Sequence, residues 1–305
     1  MIKSTVPERN NSMKKYFVFF LLLIISDSAL FSLQWPVENW VLQSTFAENR
    51  GDHYQTGIGI GGGEQKVLSV ADGEIVYYQE ENTFSVLPSG LGNYIVIEHE
   101  RQLRTTYANL KKDSIDIKKI KVKAGDKIGL IGDSGASNGP VLHFEVIDLE
   151  LNEIVNPLML LPPAGDKTKP AVKEVFIEMA GSKKEIKLSN RNDIKAGKYD
   201  FSAVIYDTSE YVDYFCQLAP YKINVYINGE EAAAISYNSI KKNDKSLVLS
   251  SNMKKVSEYY KNTVNNWHIY LGQFDISAGM IRVEIAASDF AGNETSKEFL
   301  LVSQK

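Results

Sequence analysis

The sequence predicts an all-β protein of two domains, and three observations support that prediction. Apolar and polar residues alternate along Gly73–Glu80 and Gly92–Glu100, which is the pattern of strands with one buried face. Glycine-rich turns separate such runs from Trp40 to Pro163, and no long amphipathic helix pattern occurs there. The 305 residues also exceed the roughly 250 that one hydrophobic core usually serves.

The first 32 residues have the order of a secretory signal peptide. Lys14 and Lys15 precede the unbroken apolar run Tyr16–Ile25, and small and polar residues follow. Because a run of ten residues is short for a helix that spans a bilayer, an uncleaved anchor is the less favoured alternative. We therefore expect residues 1–32 to be a signal peptide, with Met13 as an alternative natural start, and the mature protein to be periplasmic or extracellular.

The first domain is predicted to cover residues 33–163 as a series of short strands. Within it, Lys121–Gly132 places a Gly-Asp pair between two strand-like runs, which predicts a hairpin. The segment Leu161–Pro170 is rich in proline, glycine and charged residues. We expect a linker there, at residues 164–170.

The second domain is predicted to cover residues 171–305. Roughly seven short strands suit this length, which favours an immunoglobulin-like β-sandwich. The segment Ser257–Trp267 is predicted to be a short helix or a loop between strands. The clearest strand-like runs are Ala171–Met179, Tyr199–Asp207, Tyr221–Gly229, Met280–Asp289 and Ser296–Val302.

Composition and charge exclude several classes of protein. The hydrophobic share of 44% and the charged share of 24% are ordinary for a globular chain. A net charge of -4 gives no strong attraction to nucleic acid, so no nucleic-acid partner is expected. Cys216 is the sole cysteine, which rules out an internal disulfide and a cysteine-based zinc site.

Two further histidines are expected to have structural roles. His99 lies near the end of an alternating run, and we expect it at the surface. His268 follows Trp267 in the second domain, and we expect it to pack against a strand or to cap one. Neither residue is predicted to bind a ligand.

Four stretches of the first domain resemble the lysostaphin-type (LytM-like) zinc endopeptidases, which cut peptide cross-links in bacterial cell walls. The resemblance implies the fold of that family, a twisted antiparallel β-sheet with a groove whose active-site side chains project from neighbouring strands. The stretches keep the order and spacing of the family. They are His53–Gly61, Val67–Tyr78, Gly90–Leu110 and Val122–Val146, followed by Asn152–Leu158.

Most side chains that this family uses for catalysis are replaced here. Active members read His-x-Gly-Ile/Val-Asp where this chain has QTGIG, so Gln55 and Gly59 stand where the resemblance implies zinc ligands. They read His-x-His where this chain has VLH. Val141 therefore replaces a catalytic histidine, whereas His143 is the histidine that the resemblance implies as a zinc ligand. Asn109 replaces a histidine that helps to stabilise the transition state. We expect a degenerate, inactive member in which these five positions line a binding groove.

The remaining donors are too few for a catalytic zinc ion. Such an ion takes three protein ligands at about 2.0–2.2 Å and keeps an open position for water. Without the metal, the water is not activated as a nucleophile, so we expect no zinc and no catalytic residue. A rebuilt site that combines His143, His53 and a carboxylate from Asp52 or Glu64 stays open as an alternative.

The function that these observations favour is that of an exported, non-catalytic pseudopeptidase. Its groove is expected to bind peptidoglycan or an envelope protein such as a cell-wall hydrolase, because degenerate LytM-like proteins act as activators of cell-wall amidases. It would thereby regulate or scaffold cell-wall remodelling. One alternative is an active zinc endopeptidase with a rearranged site, and another is a structural component of an extracytoplasmic assembly.

Overall fold

The computed structural model describes residues 33–80, 90–116, 119–163, 165–208, 216–261 and 266–305. These residues form short strands and 3₁₀ turns, which confirms the predicted all-β class. The predicted signal peptide, residues 1–32, lies outside the described residues. Within the described ranges, no helix has the length and apolar character needed to cross a membrane.

The first domain is built on one antiparallel sheet in which β1, β2, β9, β6, β5 and β4 are neighbours in that order. A separate pair, β3 with β8, lies outside this sheet. The strands are β1 (Val41–Ser44), β2 (Ile58–Gly61), β3 (Lys66–Leu68), β4 (Gly73–Gln79), β5 (Asn93–His99), β6 (Leu103–Leu110), β7 (Lys121–Val122), β8 (Lys127–Leu130), β9 (Leu142–Asp148) and β10 (Glu153–Val155), with 3₁₀ turns at Glu100–Gln102 and Pro157–Met159.

The hairpin predicted in Lys121–Gly132 is wrong. A turn is present, since Asp126 N donates to Lys123 O at 3.0 Å. However, β7 pairs with β4, and β8 pairs with β3, so the two strands diverge after the turn. Strand partners earlier in the chain override the local turn signal.

Alternation along the strands buries one face of the first sheet. Ile95 and Ile97 on β5 and Phe144 on β9 are fully buried in one core. His99 follows the same alternation and is 8% exposed, with Nδ1 2.9 Å from Asp72 O and Nε2 2.7 Å from the Thr105 hydroxyl. The predicted surface position of His99 is therefore wrong, because the period of two places it on the buried face.

The second domain is a β-sandwich. One sheet has the order β12-β11-β14-β20, with β15 also paired to β14, and the other has the order β13-β22-β21-β16-β17. Inner faces of both sheets contribute to one core. The strands are β11 (Ala171–Met179), β12 (Glu185–Lys187), β13 (Arg191–Lys195), β14 (Gly197–Thr208), β15 (Gln217–Leu218), β16 (Lys222–Ile227), β17 (Glu230–Ser236), β18 (Ser239–Asn243), β19 (Ser246–Leu249), β20 (His268–Ile276), β21 (Gly279–Ser288) and β22 (Glu294–Gln304).

Two details of the second domain bear on the sequence predictions. The segment predicted as a short helix or loop overlaps one 3₁₀ turn, Val256–Tyr259, while residues 262–265 lie outside the described ranges. His268 is 6% exposed, and its Nε2 lies 2.9 Å from the Ser202 hydroxyl on the neighbouring strand β14. It packs within the sheet, as expected.

The two domains share a sheet. Strand β10 of the first domain pairs with β18 of the second, with Ile154 opposite Ile240, so the first sheet continues through β18 into β19. Asn156 adds two hydrogen bonds across the junction, from its N to Asn238 O at 2.8 Å and from its Nδ2 to Tyr237 O at 2.9 Å. The domains are thus joined by a shared sheet and by side-chain hydrogen bonds in addition to the chain segment that connects them. The boundaries of the linker predicted at residues 164–170 stay a prediction.

Candidate functional site

Three of the five predicted groove positions meet where β2 pairs with β9. Gly59 on β2 stands opposite His143 on β9. The Nε2 atom of Gln55 lies 3.2 Å from Nδ1 of His143 and donates to the Ser44 hydroxyl at 3.0 Å. Strand pairing thus connects Ser44, Gln55 and His143 in one hydrogen-bonded chain.

A side chain at position 59 would meet the hydroxyl of Ser44. Ser44 on β1 stands opposite it, and a Cβ atom added at residue 59 would lie closer than 3.0 Å to Ser44 Oγ. Real Cβ atoms essentially never show such a separation. The Ser44 hydroxyl and a side chain at position 59 therefore exclude each other in this arrangement.

His143 projects from the face of β9 opposite to Phe144 and is neutral at physiological pH. Burial lowers the pKa of its imidazole to about 4, and the charge of nearby His53 acts in the same direction. Because the Gln55 amide donates to Nδ1, the neutral ring carries its proton on Nε2. That Nε2 atom is buried and has no hydrogen-bond partner among the described residues.

Asn109 lies next to the end of β6, and Val141 lies directly before β9. Asn109 has a φ of 61°, which asparagine tolerates better than most residues, and its Nδ2 donates to Ser134 O at 2.8 Å. Gly132 connects the two positions, since its N donates to Asn109 O at 3.0 Å and its O accepts from Val141 N at 3.1 Å. The Asn109 side chain therefore binds the backbone of the loop that contains Ser134. The Val141 side chain has no polar atom.

The five positions do not fit a tetrahedral zinc site. They offer one imidazole and two neutral amides, and the amide nitrogens of Gln55 and Asn109 already donate to protein oxygens. Three strong donors are the usual requirement of a catalytic zinc ion. The donor set of this chain falls short of that requirement.

A rebuilt site around His143 is not assembled in this arrangement either. Among the described residues, one group of three His, Cys, Asp or Glu side chains has ligand atoms within 4.8 Å of one another, and it does not include His143. His53 is exposed and pairs with Asp52 at 2.7 Å, while Glu64 pairs with Lys111 at 2.7 Å.

Sequence motifs did not single out Ser44. It precedes all the motif stretches, and nothing in the run Val41–Ser44 distinguishes it from an ordinary strand residue. Its place beside Gly59 comes from the pairing of β1 with β2. A motif comparison could not have found it.

Residues 53–157 match the model described as Peptidase family M23. The first domain is a LytM-type domain of this family. The matched range contains the five groove positions and leaves out Ser44. A separate family model matches residues 169–304.

Curated relatives of the M23 domain include two bacterial proteins. The peptidoglycan DD-endopeptidase ShyB of Vibrio cholerae is 40% identical over 82 residues, which are 27% of this chain and 17% of that protein. The cell division protein DipM of Caulobacter vibrioides is 29% identical over 137 residues, which are 45% of this chain and 19% of that protein. The similarity thus spans about a fifth of the length of either relative.

A solved structure with similarity to this chain is the catalytic domain, in mutant form, of the prophage-encoded M23 protein EnpA from Enterococcus faecalis. It is 26% identical, and the match covers 42% of this chain and 95% of that domain. The TM-score is 0.35.

Proposed function

We propose that this chain is an exported, non-catalytic M23 pseudopeptidase. Its groove binds peptidoglycan or an envelope protein such as a cell-wall hydrolase, and it thereby regulates or scaffolds cell-wall remodelling. The observation that carries the proposal is the cluster of Ser44, Gln55 and His143 around Gly59, in which a serine hydroxyl excludes a side chain at position 59.

The donor atoms of this cluster account for the proposed loss of catalysis. Hydrolysis in the family depends on a metal that activates water, and one buried imidazole with two engaged amides is a weak donor set for zinc. A ligand side chain at position 59 would in addition require the Ser44 hydroxyl to move. We therefore propose that the purified protein binds no stoichiometric zinc.

The proposed ligand class comes from the relatives and from the groove. ShyB is named a peptidoglycan endopeptidase and DipM a cell division protein, which points to the bacterial envelope. The buried Nε2 proton of His143 is a donor without a partner, and an extended peptide brings carbonyl acceptors to such a place. The predicted signal peptide agrees with an envelope location.

Metal content and binding test the proposal together. The mature chain, residues 33–305, is purified without chelator, and its zinc content is measured by mass spectrometry. Binding to peptidoglycan is measured by sedimentation with the purified polymer. Binding to envelope proteins is measured by a pull-down from envelope extract. We expect less than stoichiometric zinc, no release of soluble wall fragments, and retention by peptidoglycan or by one envelope protein.

Matched valine substitutions locate the binding surface. Val141→Asp puts a charge beside the groove and should weaken binding about tenfold, because an unpaired carboxylate is costly to desolvate. Val76→Asp puts the same charge on the exposed part of β4, where Val76 is 44% exposed, and should leave binding unchanged. Equal effects of the two substitutions would argue against the groove.

One observation favours the zinc enzyme as a second candidate. His143 keeps an unpartnered Nε2 atom, and His53 lies near enough to affect its pKa. Stoichiometric zinc that is lost in His143→Ala, together with chelator-sensitive wall lysis, would establish that candidate and overturn the proposal. A stable protein partner without any peptidoglycan binding would favour a structural component.

A further inference from the structure

The loop between β1 and β2 leaves the sheet of the first domain, enters the second domain and returns. Its residues Phe46 and Ala47 are buried in the hydrophobic core of the second domain. The loop is flanked by Ser44 and Gln55, whose side chains are hydrogen-bonded to each other at the M23 site. Residues 45–54 are named the clasp loop, because they lie between these two site residues and reach into the other domain.

Backbone contacts close the clasp loop on itself. Ala47 N donates to Gln55 O at 2.8 Å, and Gln55 N donates to Glu48 O at 2.9 Å. Asn49 and Tyr54 form an antiparallel bridge further along the loop. Gln55 is therefore fixed to the part of the loop that is buried in the second domain.

The carboxylate of Glu48 lies at the centre of the clasp loop. Glu48 is 0% exposed, and its Oε2 atom accepts from Thr45 N at 2.9 Å and from the Thr45 hydroxyl at 3.1 Å. Arg50 Nη1 lies 2.6 Å from Oε1. Ala219 N of the second domain lies 3.4 Å from the same Oε2 atom. The donors hold the carboxylate in one place, because a buried charge that loses its partners is costly.

The second domain holds the clasp loop at two points, which together are called the grip. At the first, Ala219 N donates to Thr45 Oγ1 at 2.9 Å, and Ala219 O lies 3.2 Å from the same hydroxyl. At the second, the Tyr260 hydroxyl donates to Ala47 O at 3.0 Å, and the Tyr260 ring stacks on Tyr54 with centroids 5.7 Å apart. The hydrogen bonds at both points are buried.

The residues at the two ends of the clasp loop are the partners of the imidazole at the M23 site. Ser44 directly precedes the loop, and Gln55 directly follows it. Gln55 Nε2 donates to the Ser44 hydroxyl at 3.0 Å and lies 3.2 Å from His143 Nδ1. The buried Nε2 atom of His143 belongs to the same ring. Contacts thus run without a gap from the second domain to this imidazole.

The pairing of β1 with β2 is irregular where the clasp loop begins. Its register shifts between Leu42 and Ser44, and Gln43 lies outside the register. An irregularity of this kind interrupts the ladder of hydrogen bonds. The ladder therefore fixes Ser44 less firmly than a regular strand would, and the grip contributes to its position.

We propose that the clasp loop couples the second domain to the M23 site, so that the grip keeps Ser44 and Gln55 at His143. When the grip is released, these two side chains leave the imidazole, and the imidazole becomes accessible from solvent. A groove ligand that displaces Ser44 loosens the grip in turn, because coupling between two sites is reciprocal. The second domain thereby regulates the groove, whichever ligand the groove binds.

Chemical modification of histidines reads the state of the site without any ligand. Diethyl pyrocarbonate modifies accessible neutral imidazoles, and mass spectrometry of peptides resolves the four histidines of the chain. His143 reports on the M23 site. His99 is the internal reference for global unfolding, because it is buried in the first domain and both of its ring nitrogens have hydrogen-bond partners. The mature chain, residues 33–305, is used throughout.

Two substitutions weaken the grip from its two sides. Thr45→Val removes the hydroxyl that contacts the second domain, and Tyr260→Phe removes the hydroxyl that contacts the clasp loop. Each loses buried hydrogen bonds, so we expect His143 modification, relative to His99, to rise about threefold in each single variant and about tenfold in the double variant. The single variants carry the test if the double variant does not fold.

Tyr199→Phe is the matched control for these variants. The Tyr199 hydroxyl donates to Lys195 O at 2.9 Å within the second domain, and Tyr199 is 2% exposed. This variant therefore loses a tyrosine hydrogen bond to backbone that has no part in the grip. We expect His143 to be modified at the wild-type rate in it. Circular dichroism and thermal melting verify that each variant is folded.

The reverse perturbation starts at the M23 site. Ser44→Ala removes the acceptor of the Gln55 amide, and amide hydrogen exchange is followed in the peptide that contains Ala219, whose N donates to Thr45. We expect exchange there to be about threefold faster, because the coupling is reciprocal. Exchange in the peptide that contains Tyr199 should stay unchanged.

Three results would overturn the coupling. A rate of His143 modification that is no higher in the double variant than in Tyr199→Phe shows that the site stays closed without the grip. A parallel rise at His99 shows that the substitutions unfold the whole chain and do not release the clasp loop alone. Unchanged exchange at Ala219 in Ser44→Ala contradicts reciprocity. None of these results bears on zinc content or peptidoglycan binding, so failure of the coupling is distinguishable from failure of the proposed function.

Discussion

The M23 site and the acidic cluster of Asp166, Asp207 and Asp289 differ in how their buried polar groups are paired. At the M23 site, Ser44, Gln55 and a neutral His143 are hydrogen-bonded to one another, and the His143 Nε2 atom has no partner among the described residues. In the acidic cluster, the carboxylates of Asp207 and Asp289 are buried and accept hydrogen bonds from neutral donors, and burial raises the pKa of both. The comparison teaches that neutral side chains at a degenerate site can pair with one another, whereas buried carboxylates that lie close together are stabilised by holding a proton.

The largest effect is expected for a substitution at Gly59, which tests the M23 site. Gly59→Asp places a side chain against Ser44 Oγ and buries a carboxylate without a cation, so we expect it to lower the free energy of unfolding by about 3 kcal/mol. Urea denaturation measures the loss. Ser44→Gly in the same chain should recover part of it, because the crowding disappears while the charge remains.

A second glycine provides the control for that prediction. Gly90 has open space where a Cβ would stand, so Gly90→Asp should change stability by less than about 0.5 kcal/mol. Undiminished stability of Gly59→Asp would show that the Ser44 hydroxyl or β1 moves aside easily. The argument that Ser44 excludes a side chain at position 59 would then fail.

A smaller effect is expected at the acidic cluster, where the stability of the protein should depend on pH. The raised pKa of Asp207, about 7, means that the folded state holds a proton between about pH 4 and 7 that the unfolded state has released. Stability therefore falls as pH rises through this window and then levels off. The Asp207→Asn variant lacks this loss. We therefore expect its free energy of unfolding to exceed that of the wild type by about 2 kcal/mol at pH 8.

Thermal unfolding at several pH values measures that difference. The Asp275 side chain is 81% exposed and supplies the control, since Asp275→Asn should follow the wild-type pH profile. If Asp207→Asn is less stable than the wild type at pH 8, other groups of the protein compensate the charge of the Asp207 carboxylate.

The smallest effect tests a contact between the two domains. The Tyr260 hydroxyl of the second domain donates to Ala47 O, just after β1. Tyr260→Phe should cost about 1 kcal/mol, because one buried hydrogen bond is lost. The half-buried Tyr226 provides the control as Tyr226→Phe. A cost no larger than that of the control would mean that the hydrogen bond from Tyr260 to Ala47 does not stabilise the protein.

Alternation and motifs predicted much of the first domain. The period of two along Gly92–Glu100 predicts a strand with Ile95 and Ile97 on one face, and the structure has both. The same period would have placed His99 on the buried face, and the expectation of a surface position neglected it. The hairpin in Lys121–Gly132 failed for another reason, since a turn signal is local and strand partners are not.

The candidate site was predictable only in part. The motif frames predicted that Gln55, Gly59 and His143 would be neighbours, because the resemblance supplied the pairing of their strands. Ser44 lies outside every motif, so its contact with Gly59 could not be foreseen. The shared sheet through β10 and β18 was equally invisible, since short strands such as Glu153–Val155 carry little pattern of their own.

The sequence by itself determined which donors the five groove positions can offer, because side-chain chemistry is fixed by residue identity. It also determined the strand class through its alternation. Only the tertiary structure decided that Ser44 lies beside Gly59 and that the carboxylates of Asp166, Asp207 and Asp289 come within 4.8 Å of one another. The physical reason is that burial and charge proximity arise when segments distant in the chain pack together, and no local pattern encodes that distance.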